Sequence, residues 1–358
     1  MFKTLKDFDV SAEGGPASGW KDKKVLVRCD FNVPLDVDGG ILDDFKIKES
    51  LPTIKYLIDK EAKVILMSHL DPENTKLVSP EFTLDNVKDR LSEYLSMEIK
   101  KTEDCLGKEA KKEVDELKSG EVLLLENLRF HKGETDNTEE FAKKLAELGD
   151  IFINDAFAEC HRAYASIVGI PKFLPSGAGL LLEKEIKNLS SVLKDTKRPL
   201  LALVGGAKVK TKVKFLENIS NFADTVIISG PIKLEMESEH IDFDNEDKIM
   251  FPIEGLEDLD VSDKTLGMFL PKILEAKTII WNGPFGRIED EEFKKGTLKI
   301  ANAIIESGAF SVVGGGSTVE FLNKEGIIAK FSHVSTGGGA MLDFFSEEVL
   351  PGITALED

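Results

Sequence analysis

Residues 200–208 read LLALVGGAK, an apolar run of five residues that ends in two glycines and a lysine. Two later segments also run into glycine clusters, VVGGGST at 312–318 and STGGGA at 335–340. A short apolar run bounded by glycine is typical of a strand that is buried on both faces. Glycine lets backbone amides approach an anion closely, and a helix that follows presents its positive end. These segments therefore predict strand ends that hold phosphate groups.

A single glycine-rich turn after a strand is more often explained by tight packing than by a ligand. Three of them in one half of the chain, one carrying Lys208 and Lys212, favour phosphate binding. The spacing fits neither a Walker A loop nor a dinucleotide fingerprint. The lysines between 208 and 214 could still belong to a solvated run of charges.

Strand-like runs alternate with helix-period segments through almost the whole chain. This alternation predicts an α/β protein with parallel sheets flanked by helices, in which ligands bind beyond the carboxyl ends of the strands. Residues Glu49–Lys60 have helical spacing. The predicted strands are Lys24–Cys29, Lys63–Ser68, Glu121–Glu126, Asp150–Asn154, Leu200–Val204, Thr225–Ser229, Thr278–Trp281, Phe310–Val313 and Phe331–Val334.

The length of 358 residues suggests two domains. Near the middle, Leu180–Lys194 forms a regular amphipathic segment that follows the glycines at 177 and 179. We interpret 177–195 as a helix that links an N-terminal domain, 1–176, to a C-terminal domain, 196–344. An ordinary crossover helix within one domain is the alternative interpretation.

The composition, with 42% hydrophobic and 31% charged residues, is typical of a globular protein. The formal net charge is −19. An acidic surface disfavours nucleic acid and anionic membranes as partners. Three cysteines without close pairing argue against a disulfide framework or a zinc site, and the N-terminus lacks a secretory signal, so a cytoplasmic location is expected. Because the surface also repels anionic metabolites, an anionic substrate requires basic residues concentrated locally.

The strand ends of the first half supply such residues. Taken singly, each of these side chains is more often part of a surface ion pair or a turn. Collected at one edge of a sheet, the arginines and the histidine would form a compact cationic pocket. The side chains concerned are Arg28, Asp30, Asn32, His69, Arg129, Asn154, Asp155 and Arg162.

At these residues the chain resembles the phosphoglycerate kinase family over nearly its full length. The segments that carry the resemblance are VRCDFNVPL (27–35), LMSHL (66–70), LLLENLRF (123–130), NDAF with HRAYASIVGIP (154–171), LEKE (182–185), LVGGAKV (203–209), WNGPFGRIE (281–289), VVGGGST (312–318) and SHVSTGGGA (332–340). The resemblance implies two Rossmann-like lobes joined by a long helix across a cleft, with the tail 345–358 packing back on the first lobe. It also implies a monomer.

The implied reaction is reversible glycolytic phosphoryl transfer, in which 1,3-bisphosphoglycerate and ADP give 3-phosphoglycerate and ATP with Mg²⁺. Closure of the lobes would bring the substrates together and exclude water. The resemblance places phosphoglycerate on the N-terminal lobe, at Arg28, Asp30, Asn32, His69, Arg129 and Arg162. It places the nucleotide at Gly206, Lys208, Lys212, Gly230, Asn282, Glu289, Gly314, Gly315, Gly316, Ser317 and Thr318. Catalytic roles fall to Lys46, Lys208, Gly337, Gly338 and Gly339.

Four departures from the family pattern bear on activity. Lys46 stands where the family has an arginine, and residues 71–73 read Asp-Pro-Glu where it has Gly-Arg-Pro. Ser317 replaces an aspartate that helps to hold magnesium, so it is at best a weak metal ligand. The segment between Gly230 and Trp281 is shortened around the adenine pocket.

Three hypotheses therefore stay open. The first is a divergent but working phosphoglycerate kinase. The second is a catalytically impaired relative that binds a phosphorylated ligand or acts as an interaction or structural protein. The third is a kinase for a different phosphate acceptor.

Overall fold

A computed structural model describes residues 2–9, 19–71, 79, 81–206, 212–242, 244–253 and 259–357. The chain divides into two compact units, Met1–Glu185 with Val349–Asp358, and Ile186–Glu348. The division falls within the helix Leu180–Lys194. Each unit is built on its own parallel sheet flanked by helices, so the predicted α/β fold class is confirmed.

The sheet of the first unit contains six described strands in the order β3-β4-β2-β1-β5-β6, and all of its strand pairs are parallel. Arg28, the last residue of its central strand, is in register with Met67 on one neighbour and with Asn154 on the other. The residues that follow these three strands therefore meet at one edge of the sheet. The strands are β1 (Lys24–Arg28), β2 (Lys63–Met67), β3 (Lys100–Lys101), β4 (Val122–Leu124), β5 (Ile151–Asn154) and β6 (Ser176–Ala178).

Helices cover this sheet, and the alternate residues of β1 and β2 that point to one face pack with Ile54 and Leu57 of a helix. The helices are α1 (Leu5–Phe8), α2 (Phe45–Asp59), α3 (Asp85–Leu95), α4 (Gly107–Glu116), α5 (Lys132–Thr135) and α6 (Glu139–Ala146). Short 3₁₀ turns span Leu128–Phe130, Phe157–Glu159 and Ile170–Lys172, and a π-helical turn spans Ala165–Gly169.

The second unit repeats the plan with six described strands in the order β12-β11-β10-β7-β8-β9, again parallel. These are β7 (Leu200–Val204), β8 (Thr225–Ile228), β9 (Ile249–Met250), β10 (Thr278–Asn282), β11 (Phe310–Gly314) and β12 (His333–Val334). The helices are α7 (Leu180–Lys194), which the unit boundary divides, α8 (Val213–Phe222), α9 (Gly230–Glu239), α10 (Asp263–Glu275), α11 (Lys295–Ser307), α12 (Gly316–Lys324) and α13 (Gly338–Phe345). Turns at Glu246–Lys248 and Ile328–Lys330 complete it.

The last described helix, α14 (Pro351–Thr354), belongs to the first unit. The amide of Gly352 donates to the carbonyl of Cys160 at 2.9 Å, and the Asn154 side chain donates to the carbonyl of Gly352 at 3.4 Å. A side chain at position 352 would meet the Cα of Cys160 at 2.8 Å, so the close approach requires glycine. No helix in the described part of the chain is long and apolar enough to cross a membrane.

The bounds of α7 match the amphipathic segment that the sequence predicts, because its apolar stripe is regular over four turns. The predicted strands Glu121–Glu126 and Phe331–Val334 are too long, since the structure forms only Val122–Leu124 and His333–Val334. The strands β3, β6 and β9 have two or three residues each and are missing from the prediction. Such short segments carry too few residues to show a period.

Asp155 follows β5 and is fully buried. Its Oδ1 accepts hydrogen bonds from the amides of Leu181 and Leu182 at 2.9 and 3.3 Å, while Thr53 Oγ1 accepts from the amide of Leu180 at 2.9 Å. These bonds satisfy the first amides of α7. Burial raises the pKa of the Asp155 carboxyl to about 7, although the hydrogen bonds act in the opposite direction.

We expect Asp155 to make the first unit less stable as the pH rises. Its folded pKa of about 7 exceeds the ordinary 3.8, so the stabilisation is complete below pH 3.8 and is lost as the pH approaches 7. The loss amounts to at most about 4 kcal/mol, at about 1.4 kcal/mol per pKa unit. Urea unfolding between these pH values should show a steeper loss in the wild type than in Asp155→Asn, which keeps the Oδ1 acceptor but does not titrate. Parallel pH curves for the two proteins would contradict this assignment.

Candidate active site

The first candidate site lies where β1, β2 and β5 end, and Arg28 is at its centre. The Arg28 side chain is fully buried, and its Nε donates to Ser166 Oγ at 2.8 Å. Its Nη1 donates to the carbonyl of Cys29, and its Nη2 lies 3.2 Å from His69 Nδ1 and 4.0 Å from Glu134 Oε1. All three guanidinium nitrogens of Arg28 therefore contact groups of the protein itself.

His69 follows β2 and is also buried. Burial, reinforced by the positive charges of Arg28 and Arg129, holds the pKa of its imidazole well below the usual range. His69 is therefore neutral at physiological pH. Its imidazole can donate a hydrogen bond to a ligand or accept one from it, but it adds no positive charge to the site.

Arg129 extends from the loop after β4, where the Asn127 side chain accepts a hydrogen bond from its amide at 3.0 Å. Its Nη2 lies 3.2 Å from Glu159 Oε2, and its Nη1 lies 3.5 Å from Asp71 Oδ2. The guanidinium carbon lies 4.7 Å from the centre of the Tyr164 ring, a cation–π distance. Its buried Nε has no hydrogen-bond partner among the described residues.

The other residues that the sequence predicts to bind phosphoglycerate, together with Lys46, lie in the same cluster. Lys46, in the first turn of α2, donates to Asp30 Oδ2 at 2.6 Å, and the amide of Asn32 donates to Asp30 Oδ1 at 3.0 Å. The amide of Asp71 donates to Asn32 Oδ1 at 2.8 Å. Arg162 donates from Nη1 to the Tyr164 hydroxyl at 3.0 Å. Pro72 and Glu73, the other altered residues of this region, lie outside the described residues.

The cluster differs in charge from the cationic pocket that the sequence suggests. Its four cationic side chains are matched by four carboxyl groups, of which the sequence reasoning missed Glu134 and Glu159 as members. Glu159 lies three residues before Arg162, between the two quoted motifs NDAF and HRAYASIVGIP, and no sequence signal marked it as a member of the cluster. The cations are Arg28, Lys46, Arg129 and Arg162, and the carboxyl groups are those of Asp30, Asp71, Glu134 and Glu159.

The second candidate site is a cavity of about 670 Å³ in the second unit, at the carboxyl ends of β7, β10 and β11. Eight predicted nucleotide residues line it, namely Gly206, Lys212, Asn282, Glu289, Gly315, Gly316, Ser317 and Thr318. Gly230, Gly314, Gly337, Gly338 and Gly339 are not among its lining residues, and Lys208 lies outside the described residues. The sequence reasoning missed Gly283, Pro284 and Arg287 as lining residues, although all three lie in the quoted segment 281–289.

Close backbone approaches bring together the loops that line this cavity. The amide of Gly206 donates to the carbonyl of Pro284 at 2.7 Å, and a Cβ at position 205 would lie 2.2 Å from that same oxygen. A Cβ at Gly338 would lie 2.6 Å from the Cα of Gly315, whose φ is 103°. Only glycine fits where these loops meet, which explains the glycine clusters that the strands run into.

The cavity can bind anions through backbone amides and one lysine. Gly316, Ser317 and Thr318 form the first turn of α12, whose first amides have no intrahelical partner. Thr318 Oγ1 accepts from the amide of Gly283 at 3.1 Å and so fixes the loop after β10. Lys212 donates to the carbonyl of Gly205, and burial lowers the pKa of its ammonium group to about 8.

The lining does not fit a protein-built magnesium site. Glu289 is the sole carboxylate among the described lining residues, and Ser317 offers only a neutral hydroxyl. Magnesium ions prefer carboxylate oxygens, so a magnesium ion here would have to be coordinated mainly by oxygens of the anionic molecule that it accompanies. Elsewhere, Asp104, Cys105 and His131 present ligand atoms within 4.8 Å of one another. Burial holds the pKa of the Cys105 thiol well above its usual range, so that thiol is a poor metal ligand.

Comparisons with known proteins decide the family. The family model described as phosphoglycerate kinase matches residues 17–239 and 233–348. The chain belongs to the phosphoglycerate kinase family. This result confirms the resemblance.

Relatives of similar length support the assignment. The phosphoglycerate kinase of Dictyoglomus turgidum is 42% identical over 94% of this chain and 96% of its own length, and that of Borrelia garinii is 39% identical over 99% of both. The crystal structure of phosphoglycerate kinase from Pyrococcus horikoshii aligns with a TM-score of 0.87 at 33% identity, covering 99% of this chain and 98% of that one. The Coxiella burnetii phosphoglycerate kinase structure gives 0.78 at 32% identity over 99% of both chains.

The packing of Gly338 against Gly315 can be tested with a matched pair of glycines that both lie in helices of the second unit. Gly338→Ala should lower the free energy of unfolding by about 1–3 kcal/mol, because the added methyl group meets backbone. Gly267→Ala in α10 has open space around its Cβ and should raise it by about 0.5–1 kcal/mol. Thermal and urea unfolding measure both changes, and equal effects would contradict the close approach.

Proposed function

We propose that this protein is a working phosphoglycerate kinase that reversibly transfers a phosphoryl group between 1,3-bisphosphoglycerate and ADP, giving 3-phosphoglycerate and ATP. The observation that carries the proposal is that one chain, in this family over nearly its full length, holds both an arginine-rich cluster and a glycine-walled anion cavity. Family membership does not favour the alternative of a non-catalytic relative. The expected monomer stays a prediction.

The first unit, including the tail that returns to it, would bind the phosphoglycerate. Arg129 and Arg162 offer guanidinium groups suited to phosphate or carboxylate, and neutral His69 offers a hydrogen bond. Asp30 and Asn32 would accept from the acceptor's hydroxyl group. Arg28 is buried with its Nη2 at 3.2 Å from His69 Nδ1, and it would act by holding that imidazole in place.

The second unit would bind the nucleotide in its cavity. Lys212 and the first amides of α12 would contact the phosphates, and Asn282, which also lines the cavity, would lie near them. Glu289 would accept from the ribose hydroxyls. Lys208 and the amides of Gly337, Gly338 and Gly339 would contact the transferring group. The roles of Lys212, Asn282, Glu289 and the first amides of α12 rest on the resemblance and on their place in the cavity lining, and those of Lys208, Gly337, Gly338 and Gly339 rest on the resemblance alone.

The chemistry needs alignment and charge neutralisation more than acid–base catalysis. The attacking oxygen belongs to a carboxylate or an ADP phosphate, both already deprotonated at neutral pH, so no general base is required. Positive groups must instead stabilise the charge on the phosphoryl group as it moves. Lys46 would supply one such charge, but it offers a single ammonium point charge where an arginine would offer two parallel hydrogen bonds. The domain closure that would bring the ligands together stays a prediction.

Magnesium would arrive with the nucleotide, whose phosphates would supply the oxygen ligands that the lining lacks. Ser317 would offer a hydroxyl to that ion.

A coupled assay with 3-phosphoglycerate, ATP and magnesium tests the function and the role of Lys46. We expect turnover by the wild type and about a hundredfold loss of kcat in Lys46→Ala, the effect of removing one charge at the transition state. Lys48→Ala is the matched control, since Lys48 is half-exposed and pairs with Asp44 outside the cluster. No turnover above the no-enzyme rate at high substrate would overturn the proposal. Activity only with another phosphorylated carboxylate would indicate a different acceptor.

Nucleotide binding should weaken above pH 8 if Lys212 binds the phosphates. Its ammonium loses its proton with a pKa of about 8, so ADP affinity should fall by up to about tenfold per pH unit beyond that value. Calorimetry above about pH 7.5, where the ADP phosphates are ionised, measures the effect. Lys212→Gln should bind weakly and without this pH dependence. Lys214→Gln, which removes an exposed lysine paired with Glu348, should retain it. A flat wild-type profile would contradict the role of Lys212.

A further inference from the structure

The carboxylate of Glu159 lies among the side chains of the first unit that would bind an anionic substrate. It ends the 3₁₀ turn Phe157–Glu159, and its side chain is 7% exposed. Its Oε2 lies 3.2 Å from Arg129 Nη2, while its Oε1 lies 3.8 Å from His69 Nε2 and 4.0 Å from Arg162 Nε. Three groups that the acceptor would use therefore surround one carboxylate of the protein itself.

The contact between Glu159 and Arg129 leaves the guanidinium partly unused. A carboxylate or phosphate that binds arginine well takes two parallel N–H groups. Glu159 takes Nη2 alone, Asp71 contacts Nη1 at 3.5 Å, and the buried Nε has no partner among the described residues. An unsatisfied buried donor costs free energy, so a ligand that also bonds Nε would bind more favourably than Glu159 does.

We propose that Glu159 is an internal competitor for the acceptor: its carboxylate holds Arg129 when the acceptor is absent, and the acceptor's phosphate must displace it. This proposal rests on the proposed function and deepens it, because it names a residue that sets acceptor affinity and selectivity. A ligand with a single negative charge gains little by replacing the Glu159 carboxylate beside Arg129, because one negative charge is exchanged for another. A phosphate dianion brings a second charge and more acceptor oxygens, so the exchange favours phosphorylated ligands.

Displacement requires only the side chain of Glu159 to move. Its amide donates to the carbonyl of Ala156 at 3.0 Å, and its carbonyl accepts from the amide of Arg162 at 3.0 Å, so the backbone turn is fixed. The glutamate side chain has three rotatable bonds, and none of its described contacts is covalent or bidentate. The turn can therefore keep Arg162 in place while the carboxylate leaves.

Calorimetry on the full chain compares the wild type with Glu159→Gln, using 3-phosphoglycerate and inorganic phosphate as probes. Glu159→Gln should bind both probes at least about tenfold more tightly, because an uncharged amide competes poorly for Arg129. Its KM for 3-phosphoglycerate should fall while kcat does not rise in proportion. In the absence of ligand, its melting temperature should fall, because Arg129 loses a carboxylate. Glu140→Gln removes one negative charge at an exposed position of α6, where it pairs with Lys144, and should leave both affinities unchanged.

Weaker or equal binding of both probes by Glu159→Gln would overturn the proposal and show that Glu159 positions Arg129 instead. If that variant does not fold, Glu159→Asp decides, since its shorter carboxylate should release Arg129 and give an intermediate gain in affinity. A loss of affinity in Glu159→Asp would overturn the proposal. The phosphate probe separates this test from the proposed function. If Glu159→Gln binds phosphate more tightly but neither the wild type nor any variant shows turnover, the proposal that Glu159 competes with the ligand would stand. The proposed kinase function would then be rejected.

Discussion

The buried guanidinium of Arg28 constrains much of the first unit, because a buried charge must be paired and hydrogen-bonded. Its partners come from separate parts of the chain: the carbonyl of Cys29, the imidazole of His69 after β2, the hydroxyl of Ser166 in the π-helical turn and the carboxyl of Glu134 in α5. Ser166 in turn donates from its amide and hydroxyl to Glu134, at 2.9 and 2.5 Å. This one network ties together the end of β1, the residue that follows β2, α5 and the π-helical turn.

The two units meet the same demand, anion binding by an acidic chain, with different materials. The first uses long side chains, whose positions depend on networks such as that of Arg28. The second uses backbone: Gly205 and Gly338 allow loops to pack within distances that any side chain would forbid, and amides at the start of α12 line the cavity. Backbone amides cannot be neutralised by a neighbouring carboxylate as an arginine can. The second site can therefore remain attractive to phosphate with few basic side chains, namely Lys212 and Arg287 among its described lining residues.

Much of the fold could be predicted from the sequence because its signals are local. The stripe of α7 and the apolar runs of β7 and β10 fix element type over several residues, and the parallel register then brings their ends together. The short strands β3 and β6 have no such period and exist because neighbouring strands offer them partners. Among the site residues, the arginines could be identified through the resemblance. The proposed role of Glu159 could not be predicted, because a glutamate in a turn is usually a solvated charge. Only the folded structure brings its carboxylate close to His69, Arg129 and Arg162.

The net charge of −19 suggested that an anion site would need a locally positive pocket. The structure meets that need in a different way, since the cations of the first unit are gathered at one sheet edge but are matched by carboxyl groups. Burial explains the difference. Burying an arginine such as Arg129, whose side chain is only 5% exposed, costs folding free energy unless a counter-ion lies beside it. A protein that buries such a guanidinium group must therefore pair it with a carboxylate or lose stability. A paired arginine discriminates among ligands by how well each replaces the partner already present, which depends on charge and hydrogen-bond geometry more than on long-range attraction.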